Sequence, residues 1–178
     1  MIVASSLPWL VPGIVATVAM VLAAHRGAAR ILRVSRGSAA AILFCLGVVL
    51  CGTLTPLRDA LDYGAIGTGT CDTSRVTLPS IDELLAISRN DSLVNVLLFV
   101  PLGFVIASAR WGPWIRALAF AVLALPVLIE MTQLALPVLA RSCESADVVD
   151  NVTGYALGLF MGAIIGGTLR LRAGQRRR

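Results

Sequence analysis

Charged side chains are scarce in this sequence of 178 residues, of which 14% are charged and 57% are hydrophobic. The mean hydropathy of +0.86 is too high for an ordinary soluble domain, and that class is therefore excluded. Lysine is absent, so all 15 basic residues are arginine, and His25 is the single histidine. Catalysis by a histidine pair or a lysine therefore has almost no residues to draw on.

Long apolar runs are what the sequence has instead. Five runs of about 18 to 23 residues come close to the ~20 residues that cross a hydrocarbon core. The first has an arginine cluster after it and no positive residue before it, which is the reverse of a secretion signal. We therefore predict an all-α, multi-pass protein of the cell membrane, with residues 1–178 in a single domain. The five predicted transmembrane helices are Leu7–Ala24, Ser38–Thr55, Ser92–Ala109, Ala117–Leu139 and Val152–Leu169.

The charges are distributed unevenly among the connections. Eleven of the 15 arginines fall in the connection after the first run, in the connection with Arg110 and Arg116, and in the C-terminal tail, with no acidic residue among them. The other connections carry four arginines and nine of the ten acidic residues. The positive-inside rule then predicts an N-terminus outside and a C-terminus in the cytoplasm. This pattern favours topology anchoring near anionic headgroups and argues against nucleic-acid binding.

The long outer connection is predicted to be irregular after Pro56, apart from one short helix. Ser80 and Glu83 have the spacing of a capping box, and apolar residues follow at helical intervals as far as Ser88. A short amphipathic helix on the outer membrane face is therefore predicted here.

The four cysteines divide into two pairs. Cys45 and Cys51 lie inside the second run and are interpreted as small apolar residues. Cys71 and Cys143 fall in the two outer connections, where disulfides can persist. They are either one disulfide, which would tie the long loop to the acidic loop, or two unrelated thiols.

A carboxylate, Glu130, interrupts the fourth apolar run. Charge inside a hydrocarbon layer is costly, so such a residue is expected to face a protein interior and to have a function. Pro126, Glu130, Gln133 and Pro137 are separated by 4, 3 and 4 positions, which predicts one shared face of a helix. Prolines beside a carboxylate free backbone carbonyls that need another partner. A polar stripe is therefore predicted within the fourth span.

Glycines recur every four residues in the fifth run, at Gly154, Gly158, Gly162 and Gly166. Such a ridge lets another helix approach closely. It is interpreted first as packing within the bundle, which would draw Asp150 and Asn151 towards Glu130. The alternative is a contact with a helix of a partner protein.

Several ordered motifs resemble those of the VanZ-like family of polytopic membrane proteins. They are Asn95 with the run LLFVPLGF, Glu130-Met131-Thr132-Gln133, Arg141 with Asp147, and DNVTGYALG beginning at Asp150. The resemblance covers residues 91–162, which hold the third to fifth spans. The family is named for a member associated with teicoplanin resistance. The resemblance therefore implies a membrane protein of the cell envelope and a link to glycopeptide resistance, and it implies no particular chemistry.

The polar residues of these motifs form the predicted binding site. We expect it to bind or modulate an outer-leaflet lipid or a lipid-linked cell-wall precursor. Arg141 would contact an anionic group, and Glu130 with Gln133 would take hydroxyls or amides. The complete predicted set is Asn95, Glu130, Gln133, Arg141, Asp147, Asp150 and Asn151.

Other functions of the same cluster stay open. The polar residues could simply hydrogen-bond to one another and fix the helices. Glu130 could instead cycle a proton in a small transporter, or the glycine ridge could bind another membrane protein. Catalysis is disfavoured, because His25 is predicted on the cytoplasmic side and no serine lies in a nucleophile motif. The carboxylates lack the ordered spacing of a known metal site, so neither a metal nor a cofactor is predicted.

Overall fold

The structure, a computed structural model, describes residues 8–80, 82, 91–109 and 111–175. This part of the chain is mainly helical. Two strands of two residues, β1 (Cys71–Asp72) and β2 (Cys143–Glu144), pair in parallel, and a 3-10 turn covers Pro137–Leu139. The helices are α1 (Leu10–Leu32), α2 (Arg36–Leu54), α3 (Arg58–Tyr63), α4 (Asp91–Ser108), α5 (Pro113–Leu123), α6 (Leu125–Ala135) and α7 (Ser145–Gln175).

The apolar helices agree with a membrane protein. Within the described residues, three helices are long and apolar enough to cross a membrane: α1, α2 and the part of α7 at Ser145–Thr168. The pair α5 and α6 would be a fourth span if the two are taken together across a 41° bend. The apolar part of α4, Ser92–Ser108, is shorter than these. Each of the five predicted runs therefore contains a helix or a helix pair, and three or four of these elements meet the criterion for a span.

Two helices are longer than predicted. The connection expected at His25–Gly37 is helical as far as Leu32, because nothing in it breaks a helix before Arg33, which has a φ of 56°. Ser35 then caps α2 by accepting a hydrogen bond from the amide of Ser38 at 3.0 Å. At the other end of the chain, α7 begins at Ser145 rather than at Val152. Its first turn therefore includes an acidic residue, Asp147, which is favourable at a helix N-terminus.

The fourth run is not one continuous helix. Pro126 has no backbone N–H and lies in the first turn of α6, so the chain bends between Leu123 and Leu125. Pro126, Glu130 and Gln133 are buried together on α6, as the spacing predicts. The prediction that Pro137 extends this stripe is wrong, because α6 ends at Ala135 and Pro137 begins the 3-10 turn.

Helices α4 and α7 pack backbone against backbone. An added Cβ at Gly154 would meet the backbone of Val96, and one at Gly158 would meet the backbone of Val100. Gly162 faces α4 in the same way, at Phe104. The glycine ridge thus contacts a helix of its own chain, and its use by a partner protein stays a prediction. Close packing of α4 and α7 brings the N-terminal ends of the two helices together.

The connection between α2 and α4, called the outer connection after its predicted side of the membrane, packs against the 3-10 turn after α6. Its amides at Leu57 and Gly67 donate to the carbonyls of Leu139 and Pro137, at 3.1 and 2.6 Å. It contains α3, which the sequence did not predict. Of the amphipathic helix predicted from Ser80 to Ser88, residues 81 and 83–88 lie outside the described residues.

The sulfurs of Cys71 and Cys143 are bonded in the structure, with their Cα atoms 4.5 Å apart. These cysteines begin the paired strands β1 and β2, so the bridge fastens the outer connection to the loop before α7. Cys45 is partly buried in α2 and Cys51 is buried there, and both are free thiols.

Candidate functional site

A cavity of about 470 Å³ lies where the ends of five helices meet beneath the outer connection. It is bounded by the start of α1, the end of α2, the start of α4, the end of α6, the loop before α7 and the first turns of α7. The structure brings six of the seven predicted binding residues to its wall. They are Asn95, Glu130, Gln133, Arg141, Asp147 and Asn151.

Glu130 is buried inside the bundle, with 3% of its surface exposed. Its Oε2 accepts a hydrogen bond from the backbone amide of Glu144 at 2.8 Å. Glu144 immediately precedes α7, so the carboxylate lies at the positive end of that helix dipole. A buried carboxylate needs such partners, because its desolvation is costly. The position of Glu130 therefore depends on the bent pair α5–α6 and on the N-terminus of α7 together.

Two predicted site residues cap the C-terminal end of α2. The last carbonyls of a helix have no partners within it. Gln133 Nε2 donates to the carbonyl of Thr53 at 2.9 Å. Arg141 donates through Nε to Thr55 at 3.0 Å and through Nη2 to Gly52 at 2.8 Å. These side chains therefore have a structural role in addition to lining the cavity.

The pKa of Arg141 depends on its burial and on the acidic residues around it. Burial lowers the pKa of Arg141, and the charges of Asp147 and Glu130 act in the opposite direction and raise it. An arginine stays protonated in proteins, so the guanidinium is a fixed positive charge at the cavity wall. Its charge is balanced by carboxylates of this chain, and part of its hydrogen-bonding capacity is used by α2.

Two amide oxygens in the wall lack hydrogen-bond partners among the described residues, Gln133 Oε1 and Asn151 Oδ1. Their residues are 5% and 1% exposed. The oxygen of Gln133 is identified by its chemistry, because its nitrogen is the atom that donates to Thr53. A buried acceptor without a donor costs about 1–3 kcal/mol. The polar wall is thus not fully satisfied by the described protein atoms.

Asp150 does not line the cavity. It is fully buried, and its Oδ2 pairs with Arg75 Nη2 at 2.6 Å. Arg75 also donates to Ser92 Oγ at 3.3 Å and to the carbonyl of Ala146 at 3.4 Å, while its own carbonyl accepts from Ser145 Oγ at 2.7 Å. Arg75 thus joins the outer connection to α4 and α7. No sequence pattern singles out this residue beyond its place among the four arginines that are predicted to lie outside.

The cavity wall also contains apolar side chains. Leu10 of α1, Val48 of α2, and Val94 and Leu98 of α4 line it. Val94 is 47% exposed, so this wall reaches the surface of an apolar helix. The cavity therefore combines polar and apolar side chains, which is the chemistry of a site for an amphiphile.

The single histidine is remote from this cavity. His25 lies 15 residues after Leu10 on α1, or about 22 Å at ~1.5 Å per residue. Its Nδ1 lies 2.9 Å from the carbonyl oxygen of Val21. The functional groups available at the cavity are therefore carboxylates, amides, hydroxyls and one guanidinium.

A family model described as VanZ/LLP1 matches residues 9–166 of the chain. No curated protein and no solved structure matches it. The match extends well beyond the motif-bearing residues 91–162 and takes in α1 and α2, whose ends contribute to the cavity. The chain belongs to the VanZ/LLP1 family.

Proposed function

We propose that this protein binds an outer-leaflet lipid or a lipid-linked envelope precursor in the cavity between Glu130 and Asn151. The polar headgroup would occupy the side formed by α6, the loop before α7 and the start of α7. The apolar tail would leave along Leu10, Val94 and Leu98. The protein then acts as a binding or modulating component of the cell envelope.

One observation carries this proposal: a single cavity combines buried polar side chains with an apolar wall that reaches an exposed helix surface. A network that served packing alone would have no need of a cavity of about 470 Å³ beside it. Ligand sites typically pair an apolar lining with a few polar groups that orient the ligand.

The cavity belongs to the outer face in this proposal. It lies at the beginning of α1, whereas Arg26 and Arg30 lie near the end of that helix. The positive-inside rule then assigns the arginine end to the cytoplasm and the cavity end to the outside. The bond between Cys71 and Cys143 lies at the cavity end and suits an oxidising compartment. The protein would be a multi-pass protein of the cell membrane with its N-terminus outside.

A pair of matched substitutions tests whether the cavity is the binding site. Val94 lines the cavity and Val127 does not, and their exposures are nearly the same, at 47% and 46%. Val94→Trp should block the apolar part of the cavity, along which the tail would leave. We expect it to reduce the lipid that copurifies with the protein by about tenfold, as measured by native mass spectrometry and lipid extraction. Val127→Trp should leave the retained lipid unchanged, and equal losses in the two variants would refute the proposal.

The cellular readout follows from the family resemblance. If the protein modulates an envelope component, its expression should change teicoplanin susceptibility. Glu130→Gln should abolish that change, whereas Asp62→Asn, on the exposed surface of α3, should preserve it. A teicoplanin response that survives Glu130→Gln in a folded, membrane-inserted protein would separate resistance from this cavity.

A further inference from the structure

The cavity wall offers more hydrogen-bond acceptors than donors. Three acidic side chains line it, Glu130, Glu144 and Asp147, against one basic side chain. The oxygens of Gln133 and Asn151 add acceptors that have no donor among the described residues. A ligand that fits this wall must bring donors and positive charge.

Some hydrogen-bond donors of the basic side chain, Arg141, are already used within the protein. Arg141 donates to the carbonyls of Gly52 and Thr55, which caps α2. These bonds use two of its five N–H groups, and its guanidinium is close enough to Asp147 and Glu130 to interact with their charges. The wall can therefore bind a ligand that carries one anionic group next to a cationic one. A headgroup with anionic groups alone would be repelled by the carboxylates of the wall.

The residues of the cavity wall also favour a primary ammonium group over a quaternary one. Quaternary ammonium groups have no N–H donors and are bound in cages of aromatic rings. The part of the cavity wall that the structure describes contains no phenylalanine, tyrosine or tryptophan. A primary ammonium group has three donors, which matches a wall of amide and carboxylate oxygens.

We infer that the cavity recognises a phospholipid whose headgroup ends in a primary ammonium. This inference rests on the proposed function and specifies its ligand class. The ammonium binds among the oxygens of Gln133, Asn151 and the acidic residues, and the adjacent phosphate faces Arg141. A volume of about 470 Å³ suits such a small headgroup better than a sugar–peptide precursor.

Three lipids with the same acyl chains provide the test. Phosphatidylethanolamine has a charged nitrogen with donors, phosphatidylcholine has the charge without donors, and N-acetylphosphatidylethanolamine has a donor without the charge. The purified full-length protein is exposed to an equal mixture and bound lipid is counted by native mass spectrometry. We expect phosphatidylethanolamine to be retained about tenfold over each of the others.

Variants assign the preference to the wall. Glu144→Gln combined with Asp147→Asn should bring the ratio of phosphatidylethanolamine to phosphatidylcholine close to one. Asp62→Asn removes one carboxylate on α3, away from the cavity, and should leave the ratio unchanged. Because the readout is a ratio of lipids on one protein sample, a lower folded fraction does not alter it.

Failure of this inference is distinct from failure of the proposed function. Equal retention of the three lipids, or a preference for the N-acetyl lipid, with loss of all binding in Val94→Trp, would overturn the ammonium inference and keep the lipid site. Retention that Val94→Trp does not reduce would overturn both.

Discussion

The contact between α4 and α7 gives the sharpest test of the fold. Alanine at Gly158 would place its Cβ 2.8 Å from the backbone nitrogen of Phe104 and against the carbonyl of Val100. Alanine at Gly167, on the same helix, would meet nothing within 4 Å. The two substitutions are chemically identical and differ in what the new methyl group contacts.

The magnitude follows from comparing the two variants. Alanine has a higher helix propensity than glycine by about 1 kcal/mol, and this gain is common to both positions. Overpacking at Gly158 costs about 1–3 kcal/mol, because the obstacle is backbone and cannot rotate away. We therefore expect Gly158→Ala to be less stable than Gly167→Ala by about 1–3 kcal/mol.

Thermal unfolding of the two purified variants under the same detergent conditions measures this difference. For a chain of this size, 1 kcal/mol corresponds to roughly 2–4 °C in Tm. Gly158→Ala should also loosen the cavity, because Asn95 and Asn151 lie on the two helices that it separates. Equal Tm values, or a more stable Gly158→Ala, would refute the close packing of α4 on α7.

Three further predictions concern the groups that surround the cavity. Arg141→Ala leaves two α2 carbonyls without a charged donor and should lower the free energy of unfolding by about 1.5–3 kcal/mol. Asp150→Asn breaks a buried pair with Arg75 and should cost up to about 3–5 kcal/mol in the same measurement. Replacing Cys71 and Cys143 by serine opens a link between residues 72 apart in sequence and should cost at most about 4 kcal/mol in the chain-entropy model, read as a lower Tm.

Each of these has its own control. Arg58→Ala removes a surface pair with Asp62 and should change stability by less than about 1 kcal/mol, so an equal effect of Arg141→Ala would contradict its capping role. If Asp150→Asn is as stable as the parent protein, the pair with Arg75 does not exist in solution. Thiol labelling of the unfolded, unreduced protein should find two free cysteines, and four labelled cysteines would rule out the bond.

The general class of the fold was predictable because it depends on composition and periodicity. Runs of apolar residues specify helices and membrane character wherever they occur, so each predicted run contains a helix. Helix ends were less predictable, because they depend on local competition. The helix continues past His25 because alanine and arginine sustain it, and α7 starts early because Asp147 is favourable in a first turn. Pro126 could be recognised in the sequence as a residue that disturbs a helix. The division of the run into two separate helices could not be predicted.

The cavity residues were predictable for a different reason. Glu130 and Gln133 are polar where the surroundings are apolar, so they stand out in sequence and must face the interior. Arg75 does not stand out, because it is one arginine in a polar loop and its partner Asp150 is 75 residues away. The capping of α2 by Arg141 was also not predictable, since the partners are backbone carbonyls that every residue has. Long-range partners in loops depend on the folded path of the chain, which hydropathy does not encode.

The polar groups around the cavity differ in whether another atom of the protein completes their hydrogen bonds. Arg75 pairs with Oδ2 of Asp150, and the nitrogen of Gln133 donates to the end of α2. The oxygen of the same Gln133 amide, like that of Asn151, is buried without a donor among the described residues. A glutamine needed only as a cap for α2 would leave the protein with the cost of that second atom, about 1–3 kcal/mol. A methionine or leucine at position 133 would fill the same space without an unpaired oxygen, and another donor, such as water, could bond to the carbonyl of Thr53. The amide is favourable here if a ligand supplies the missing donor, so the unpaired half of the side chain, rather than the paired half, is what supports the proposed site.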